Sequence, residues 1–194
     1  MQRNVVCLTV LVMAASVAMY AGDIKGKVGG VSGASVVWVE AIPGKTFPPA
    51  DKPAVEDQKG LMFQPHILVV PVGSTVEFLN SDNVQHNVFW PSISGNKKLG
   101  HNMGTWPKGE KKPFKFDQPG VVSLLCNVHP EMSGYIIVTP TPFYSETDAS
   151  GNFTIAGVPD GKYTVTAWHE GAKQQSKPEA VKGDISVDFI LAKQ

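Results

Sequence analysis

The chain has 194 residues, and its 17 basic and 17 acidic side chains give a formal net charge of zero. This balance, together with the lack of a basic patch interleaved with aromatic residues, argues against a nucleic-acid partner. Fifteen prolines and nineteen glycines imply many turns and few long helices, in a chain long enough for one or two domains.

The N-terminal segment, residues 1–21, has the pattern of a secretory signal peptide. It carries one basic residue, Arg3, no acidic residue and a mostly apolar run over residues 5–21. An uncleaved membrane anchor is the alternative, because the run approaches the length that spans a bilayer. Cleavage after Ala21 is the prediction. It implies a periplasmic or secreted protein with no membrane span after signal removal.

The rest of the chain predicts an all-β protein. Short runs of β-branched or alternating apolar residues, bounded by turn residues, predict strands at residues 35–40, 66–70, 75–80, 120–125, 134–138, 162–168 and 184–191. Residues 41–60 and 91–111 lack clear periodicity and are predicted to be loops with, at most, a short helix. Many short strands separated by turns are typical of β-sandwiches.

One cysteine stands out because the mature chain would contain no other. Cys7 lies in the predicted signal peptide, which leaves Cys126 alone. A lone cysteine in an oxidising compartment cannot form an internal disulfide, so it is either reactive or a ligand. His129 and Met132 follow Cys126 with two residues between each, and this spacing favours the ligand interpretation.

With His86, these residues offer the donors of a blue-copper site. Two imidazoles and a thiolate in a near-trigonal plane, with a long bond to an axial thioether, form such electron-transfer sites. Glu131 is an alternative to Met132 as the axial ligand. His86 is expected near the end of one strand and Cys126 at the end of another, while His129 and Met132 occupy the turn into the next strand.

The segment from about residue 61 to residue 138 resembles a cupredoxin, the blue-copper family of plastocyanin and amicyanin. The matching motifs are Phe63-x-Pro65, Gly73-x-x-Val76-x-Phe78-x-Asn80, His86-Asn87-Val88, Phe116-Asp117-x-Pro119-Gly120 and Cys126-x-x-His129-x-x-Met132. The resemblance implies a Greek-key β-sandwich that binds one copper ion. It also implies that His86, Cys126 and His129 are strong ligands and Met132 the weak axial one, while Asn87 ties down the ligand loop and shields the sulfur.

The flanking segments are similar to a carboxypeptidase regulatory-like, or transthyretin-like, β-sandwich. The similarity is carried by residues 24–28, 33–37, 147–155 and 158–163. It predicts that residues 22–43 and 140–194 form one sandwich, into which a cupredoxin domain of residues 44–139 is inserted. In the alternative arrangement, residues 36–41 form the first strand of the cupredoxin, and a continuous C-terminal domain follows.

The resemblance implies a periplasmic electron carrier whose partner is a redox protein such as a cytochrome or a dehydrogenase. A copper-binding or copper-handling protein without electron transfer is the alternative. A copper enzyme is disfavoured because Leu125 and Asn127 flank Cys126, where such enzymes often have a histidine that bridges to further copper. The remaining histidines, His66, His101 and His169, are expected to be structural or exposed.

Overall fold

The structure, a computed structural model, describes residues 21–194. The regular secondary structure of this part of the chain consists of β-strands and one single-turn 3-10 helix at Lys97–Leu99. In chain order, the strands are β1 (Ala21–Gly29), β2 (Val36–Val39), β3 (Ala54–Gln58), β4 (Phe63–Gln64), β5 (Ile67–Pro71), β6 (Thr75–Asn80), β7 (His86–Trp90), β8 (His101–Trp106), β9 (Lys111–Lys115), β10 (Gly120–Leu125), β11 (Ser133–Thr139), β12 (Tyr144–Glu146), β13 (Asn152–Pro159), β14 (Gly161–Trp168), β15 (Gln175–Val181), β16 (Ile185–Ser186) and β17 (Phe189–Ile190). The predicted all-β class is therefore confirmed.

Strands β3 to β11 pair only among themselves and form what we call the inner sandwich. One sheet has the order β5-β11-β10-β7-β8, and the other has the order β4-β3-β6-β9. Inward-facing apolar side chains, among them Phe78, Phe116 and Ile136, fill the space between the two sheets. The alternation of buried and half-buried residues along β6 and β10 explains why these strands are visible in the sequence.

The strands at the two ends of the chain form a second body, the outer sandwich. Strand β1 pairs with β13, β16 and β17, while β2 lies between β12 and β14, and β14 also pairs with β15. The N-terminal strands thus pair with C-terminal partners, and the inner sandwich is inserted between them. Because β2 pairs within the outer sandwich, it is not the first strand of the inner one. The boundaries at residues 43/44 and 139/140 stay predictions.

The two sandwiches share an apolar contact zone. Val36, Trp38 and Trp168 of the outer sandwich cluster with Ile67, Val69 and Ile137 of the inner one. The rings of Tyr135 and Trp168 lie 5.1 Å apart. An ion pair between His66 and Glu170, with the Nε2 and Oε2 atoms 2.9 Å apart, joins the two bodies at the surface.

Two predicted loops contain strands. Strand β3 lies in segment 41–60, where its inward-facing residues are the polar Glu56 and Gln58, so no apolar alternation marks it. Strand β8 lies in segment 91–111 at the edge of a sheet, and only Trp106 in it is buried. The loop prediction was wrong at both places because periodicity detects strands through their apolar faces.

The predicted signal peptide lies outside the described residues, apart from Ala21, which begins β1. Within residues 21–194, no helix has the length and apolar character needed to cross a membrane.

Candidate metal centre

The ends of two neighbouring strands bring the predicted ligands together. His86 is the first residue of β7, and Cys126 follows the last residue of β10. The two strands are antiparallel, with Leu125 opposite Phe89, so the start of one lies beside the end of the other. His129 lies in the turn that follows, which places both histidines and the cysteine at one end of the inner sandwich.

The donor atoms of these three residues converge. The ligand atoms of His86, Cys126 and His129 all lie within 4.8 Å of one another. The two Nδ1 atoms, of His86 and His129, are 3.0 Å apart. His86 and Cys126 are buried, whereas His129 is partly exposed. The cluster is therefore enclosed except at the edge of His129.

Met132 and Glu131 differ in where they lie. Met132 is 1% exposed and belongs to the same core cluster as Cys126, while Glu131 is exposed. The backbone N–H of Met132 donates to the His129 carbonyl at 3.0 Å, which closes a tight turn just before β11. This turn directs the thioether side chain toward the interior.

Asn87 connects the sulfur to its surroundings. Its backbone N–H donates to Cys126 Sγ at 3.4 Å, and its side-chain oxygen accepts from the Asn127 N–H at 3.2 Å. Its amide nitrogen donates to Asn102 Oδ1 at 2.9 Å and to the Gly104 carbonyl at 2.8 Å. These contacts match the expected role of Asn87, since one side chain links β7, β8 and the ligand loop.

Sequence reasoning missed Asp82, whose carboxylate contacts the second nitrogen of His86. Asp82 Oδ2 lies 2.9 Å from His86 Nε2, and the two oxygens also accept from the backbone N–H groups of Gly60 and Leu61, at 2.7 and 2.9 Å. Partial burial raises the pKa of Asp82, but the Leu61 and Gly60 N–H groups together with His86 outweigh it and lower this pKa to about 2. An ionised carboxylate only accepts hydrogen bonds, so Nε2 is the donor in this contact, and Nδ1 is the ring nitrogen of His86 that faces His129.

The donor set fits a copper ion. Thiolate and thioether suit Cu(I), imidazole suits both oxidation states, and a His2Cys set with a weak axial thioether is typical of blue copper. Each ligand nitrogen must be unprotonated to bind, and the hydrogen bond of Nε2 to Asp82 makes Nδ1 the nitrogen of His86 that is available to a metal.

The other histidines among residues 21–194 have partners elsewhere. His66 pairs with Glu170 at the surface, and exposed His101 lies against the rings of Trp90 and Phe114. His169 is buried, and its two ring nitrogens contact the Ser32 carbonyl and the Gly171 N–H. Over the same residues, His86, Cys126 and His129 form the one cluster of three or more His, Cys, Asp or Glu side chains with metal-binding spacing.

Comparisons with known proteins assign families to two segments. Residues 50–139 match the copper binding proteins of the plastocyanin/azurin family, which confirms the cupredoxin resemblance. Residues 138–188 match domain II of polysaccharide lyase family 4. The carboxypeptidase regulatory-like resemblance itself stays a prediction.

Solved structures of copper proteins are also similar to this chain. The Cu(I) form of one amicyanin variant and the oxidised form of another are each 26% identical, cover 46% of this chain and 84% of their own, and have TM-scores of 0.42. A Cu-containing nitrite reductase from Thermus scotoductus SA-01 is 29% identical, with a TM-score of 0.41. That match covers 50% of this chain and 24% of the reductase chain.

Proposed function

We propose that this chain, whose residues 50–139 belong to the plastocyanin/azurin family of copper-binding proteins, carries single electrons through one copper ion in the periplasm or outside the cell. His86, Cys126 and His129 are the strong ligands, and Met132 is the weak axial one. The observation that carries the proposal is the convergence of these three donor groups within 4.8 Å at one end of the inner sandwich. Bound copper supplies the one-electron couple between Cu(I) and Cu(II).

The surroundings of the ligands favour repeated electron transfer over storage. His86 is held by Asp82, and the loop after Cys126 is held by Asn87. Ligands fixed by packing and by outer hydrogen bonds keep one geometry when the charge of the metal changes. This arrangement limits the rearrangement that accompanies each electron transfer.

Burial favours Met132 over Glu131 as the axial ligand. The thioether side chain of Met132 is enclosed in the core together with Cys126. Glu131 is exposed, and turning its carboxylate inward would remove a charge from water at a large free-energy cost. A neutral axial donor is therefore the better match to this site.

Exposed apolar side chains that are connected to the ligand residues by chain position or by a hydrogen bond form what we call the apolar rim. It consists of four exposed side chains: Leu61, Met62, Val84 and Val128. Val128 directly precedes His129, and Val84 lies in the loop that joins Asp82 to His86. Leu61 reaches the same loop through the bond between its N–H and Asp82, and Met62 follows Leu61.

An apolar rim around an exposed ligand suits brief docking. Exposed apolar patches mark interaction sites, and weak redox encounters use interfaces at the small end of the size range. A redox protein such as a cytochrome or a dehydrogenase is the proposed partner, with the electron passing at the edge of His129.

The visible spectrum of the copper-loaded protein tests this proposal. The parent should show intense thiolate-to-copper absorption, and Cys126→Ser should abolish it because the sulfur donor is gone. Ala167→Ser, which places the same side chain at another buried position, should leave the absorption unchanged. Rapid electron exchange with a cytochrome should accompany the colour.

Two results would contradict the proposal. Unchanged visible absorption in Cys126→Ser would show that the sulfur of Cys126 is not a copper ligand. A colourless parent that holds Cu(I) and resists oxidation would instead identify a copper-handling protein.

A further inference from the structure

Asp82 is more than a turn residue. The turn after β6 already has an acceptor, because Asn80 Oδ1 takes the backbone N–H of Asp82 at 2.9 Å. The Asp82 carboxylate is thereby left for other partners, and it meets three: Gly60 N–H, Leu61 N–H and His86 Nε2.

We propose that Asp82 is a positioning residue that fixes the ring orientation and the tautomer of the buried ligand His86 and lowers the reduction potential of the bound copper. The inference rests on the proposed function, because it assumes that His86 binds copper. Asp82 influences the balance between Cu(I) and Cu(II) although it does not itself bind the metal.

The orientation of the His86 ring depends on its hydrogen bond to Asp82. The His86 side chain is fully buried, so water cannot take its Nε2 proton, and the 2.9 Å contact with Asp82 supplies the acceptor. Ligand histidines generally donate their second N–H to a carboxylate, a carbonyl or water, and this contact fixes the ring orientation. Asp82 therefore holds Nδ1 toward His129 and Cys126.

The negative charge of Asp82 affects the bound copper through His86. A carboxylate bonded to the far nitrogen makes an imidazole a more basic ligand, and its negative charge favours the more positive metal state. Cu(II) gains more from both effects than Cu(I). Replacing the charge by a neutral group should raise the reduction potential, because Cu(II) loses more binding free energy than Cu(I).

Asp82 also holds the turn formed by residues 59–62. Residues 59–62 connect β3 to β4, with Gly60 at φ 66° and Leu61 at φ 58°. Hairpin turns with positive φ at both central residues strongly prefer Asn-Gly or Gly-Gly pairs, so a leucine here is unfavourable. Strain of this kind persists only where the surroundings hold it, and the two oxygens of Asp82 bind the N–H groups of both turn residues, the strained Leu61 included.

Asp82 thus joins the buried ligand to the part of the apolar rim formed by Leu61 and Met62. These two side chains are 42% and 55% exposed. One carboxylate positions both His86 and the turn against which a partner would dock.

Asp82→Asn in the copper-loaded protein tests the proposal. The substitution keeps the size of the side chain and removes its charge. We expect the visible absorption to remain, the reduction potential to rise, and the affinity for Cu(II) to fall about 10–100-fold, more than the affinity for Cu(I). Asp82→Glu, which retains the charge, should stay closer to the parent in potential.

Asp57→Asn is the matched control. Asp57 Oδ2 accepts from Ser81 Oγ at 2.7 Å, so it belongs to the same region and loses the same charge, but its carboxylate bonds to Ser81 rather than His86. A rise in potential as large as that of Asp82→Asn would assign the effect to general charge. A potential that does not change in copper-bound Asp82→Asn would overturn the proposal.

Nitrogen NMR of the copper-free protein provides a second readout, which stays informative if Asp82→Asn binds copper poorly. In the parent, His86 should hold its proton on Nε2, and in Asp82→Ala, which has no side-chain acceptor, this preference should be lost while the Gly60 and Leu61 amide signals shift. An unaltered His86 signal would overturn the proposal. If the parent protein lacks blue-copper absorption but His86 keeps its proton on Nε2, the proposed function is wrong. The role of Asp82 in positioning His86 then still stands.

Discussion

Each sandwich buries a histidine, but the inner one also buries a carboxyl group. The core of the outer sandwich is a single apolar cluster that includes Ile24, Val165 and Phe189. The inner sandwich also buries His86 and Glu56, the first bonded to Asp82 and the second without a hydrogen-bond partner for either carboxylate oxygen. Buried polar groups lower stability unless they are satisfied. The inner sandwich therefore combines the candidate copper ligands with a cost in stability, whereas the outer one contributes stabilising apolar burial.

We therefore ask how much the outer sandwich contributes to the free energy of unfolding of the inner one. The shared cluster around Trp38, Trp168 and Ile137 is the structural connection. The largest effect is expected at this contact, an intermediate one at the buried Glu56 carboxyl within the inner sandwich, and the smallest at the surface contact between His66 and Glu170.

Trp168→Ala should have the largest effect. It removes a nearly buried indole that packs against Tyr135, and such truncations lower the free energy of unfolding by about 3–5 kcal/mol. Chemical denaturation should be followed by far-UV circular dichroism and by the copper absorption. The two signals should separate in the variant, because each sandwich then unfolds with less help from the other.

Ile190→Ala is the control for that experiment, because this isoleucine is 78% exposed. Its truncation should change the free energy of unfolding by no more than about 0.5 kcal/mol. A loss below about 1 kcal/mol in Trp168→Ala would mean that the two bodies are energetically independent.

Glu56→Gln should have an intermediate effect that depends on pH. Burial, and to a lesser extent the charge of Asp57, raise the pKa of Glu56 from 4.5 to about 9. The folded parent therefore keeps a proton that the unfolded chain releases, and its stability falls as pH rises from 4.5 to 9. Glutamine does not titrate, so the variant should be more stable than the parent by about 2–3 kcal/mol near pH 6.5, two pH units above the pKa in the unfolded chain.

Below pH 4.5 that difference should vanish, because the carboxyl is then protonated in both the folded and unfolded states. Denaturation midpoints at several pH values would measure it, with the exposed Glu110→Gln as the reference. Parallel pH profiles for the parent and Glu56→Gln would show that the carboxyl is ionised in the folded protein.

Glu170→Gln should have the smallest effect. The side chains of the His66–Glu170 pair are 47% and 39% exposed, and ion pairs of this kind contribute about 0–1 kcal/mol. The titration of Tyr135 is a sharper measure: burial and, less strongly, Glu170 raise the pKa of this phenol. Removing the charge should lower that pKa, and an unchanged phenol titration would mean that Glu170 lies farther away in solution.

The sequence predicted the ligand cluster because residue type and spacing carry the information. Cys126, His129 and Met132 lie in one short segment, so one turn suffices to bring them together. His86 could be added because it was expected near the end of one strand or just past it, and Cys126 at the end of another. The structure places three of these donors within 4.8 Å, and the assignment of all four as ligands stays a prediction.

The supporting residues were not predictable in the same way. Asp82 and Asn102 are ordinary turn or loop residues in sequence. Asp82 lies only 4 positions before His86, but its other partners lie 21 to 22 positions away, and the partner of Asn102 lies 15 positions away. Glu56 lies inside the protein only because its strand turns that face inward. Such contacts depend on sheet register, which the pattern of a single strand does not specify.

The insertion also determines the order in which this protein can fold during synthesis. Ile24 lies opposite Ile155 in the antiparallel pair β1–β13, so β1 leaves the ribosome long before its partner exists. The whole inner sandwich emerges in between and has its own strands available first. Contacts so distant in sequence form slowly, and the waiting apolar strands β1 and β2 are the segments that a chaperone would have the longest time to bind.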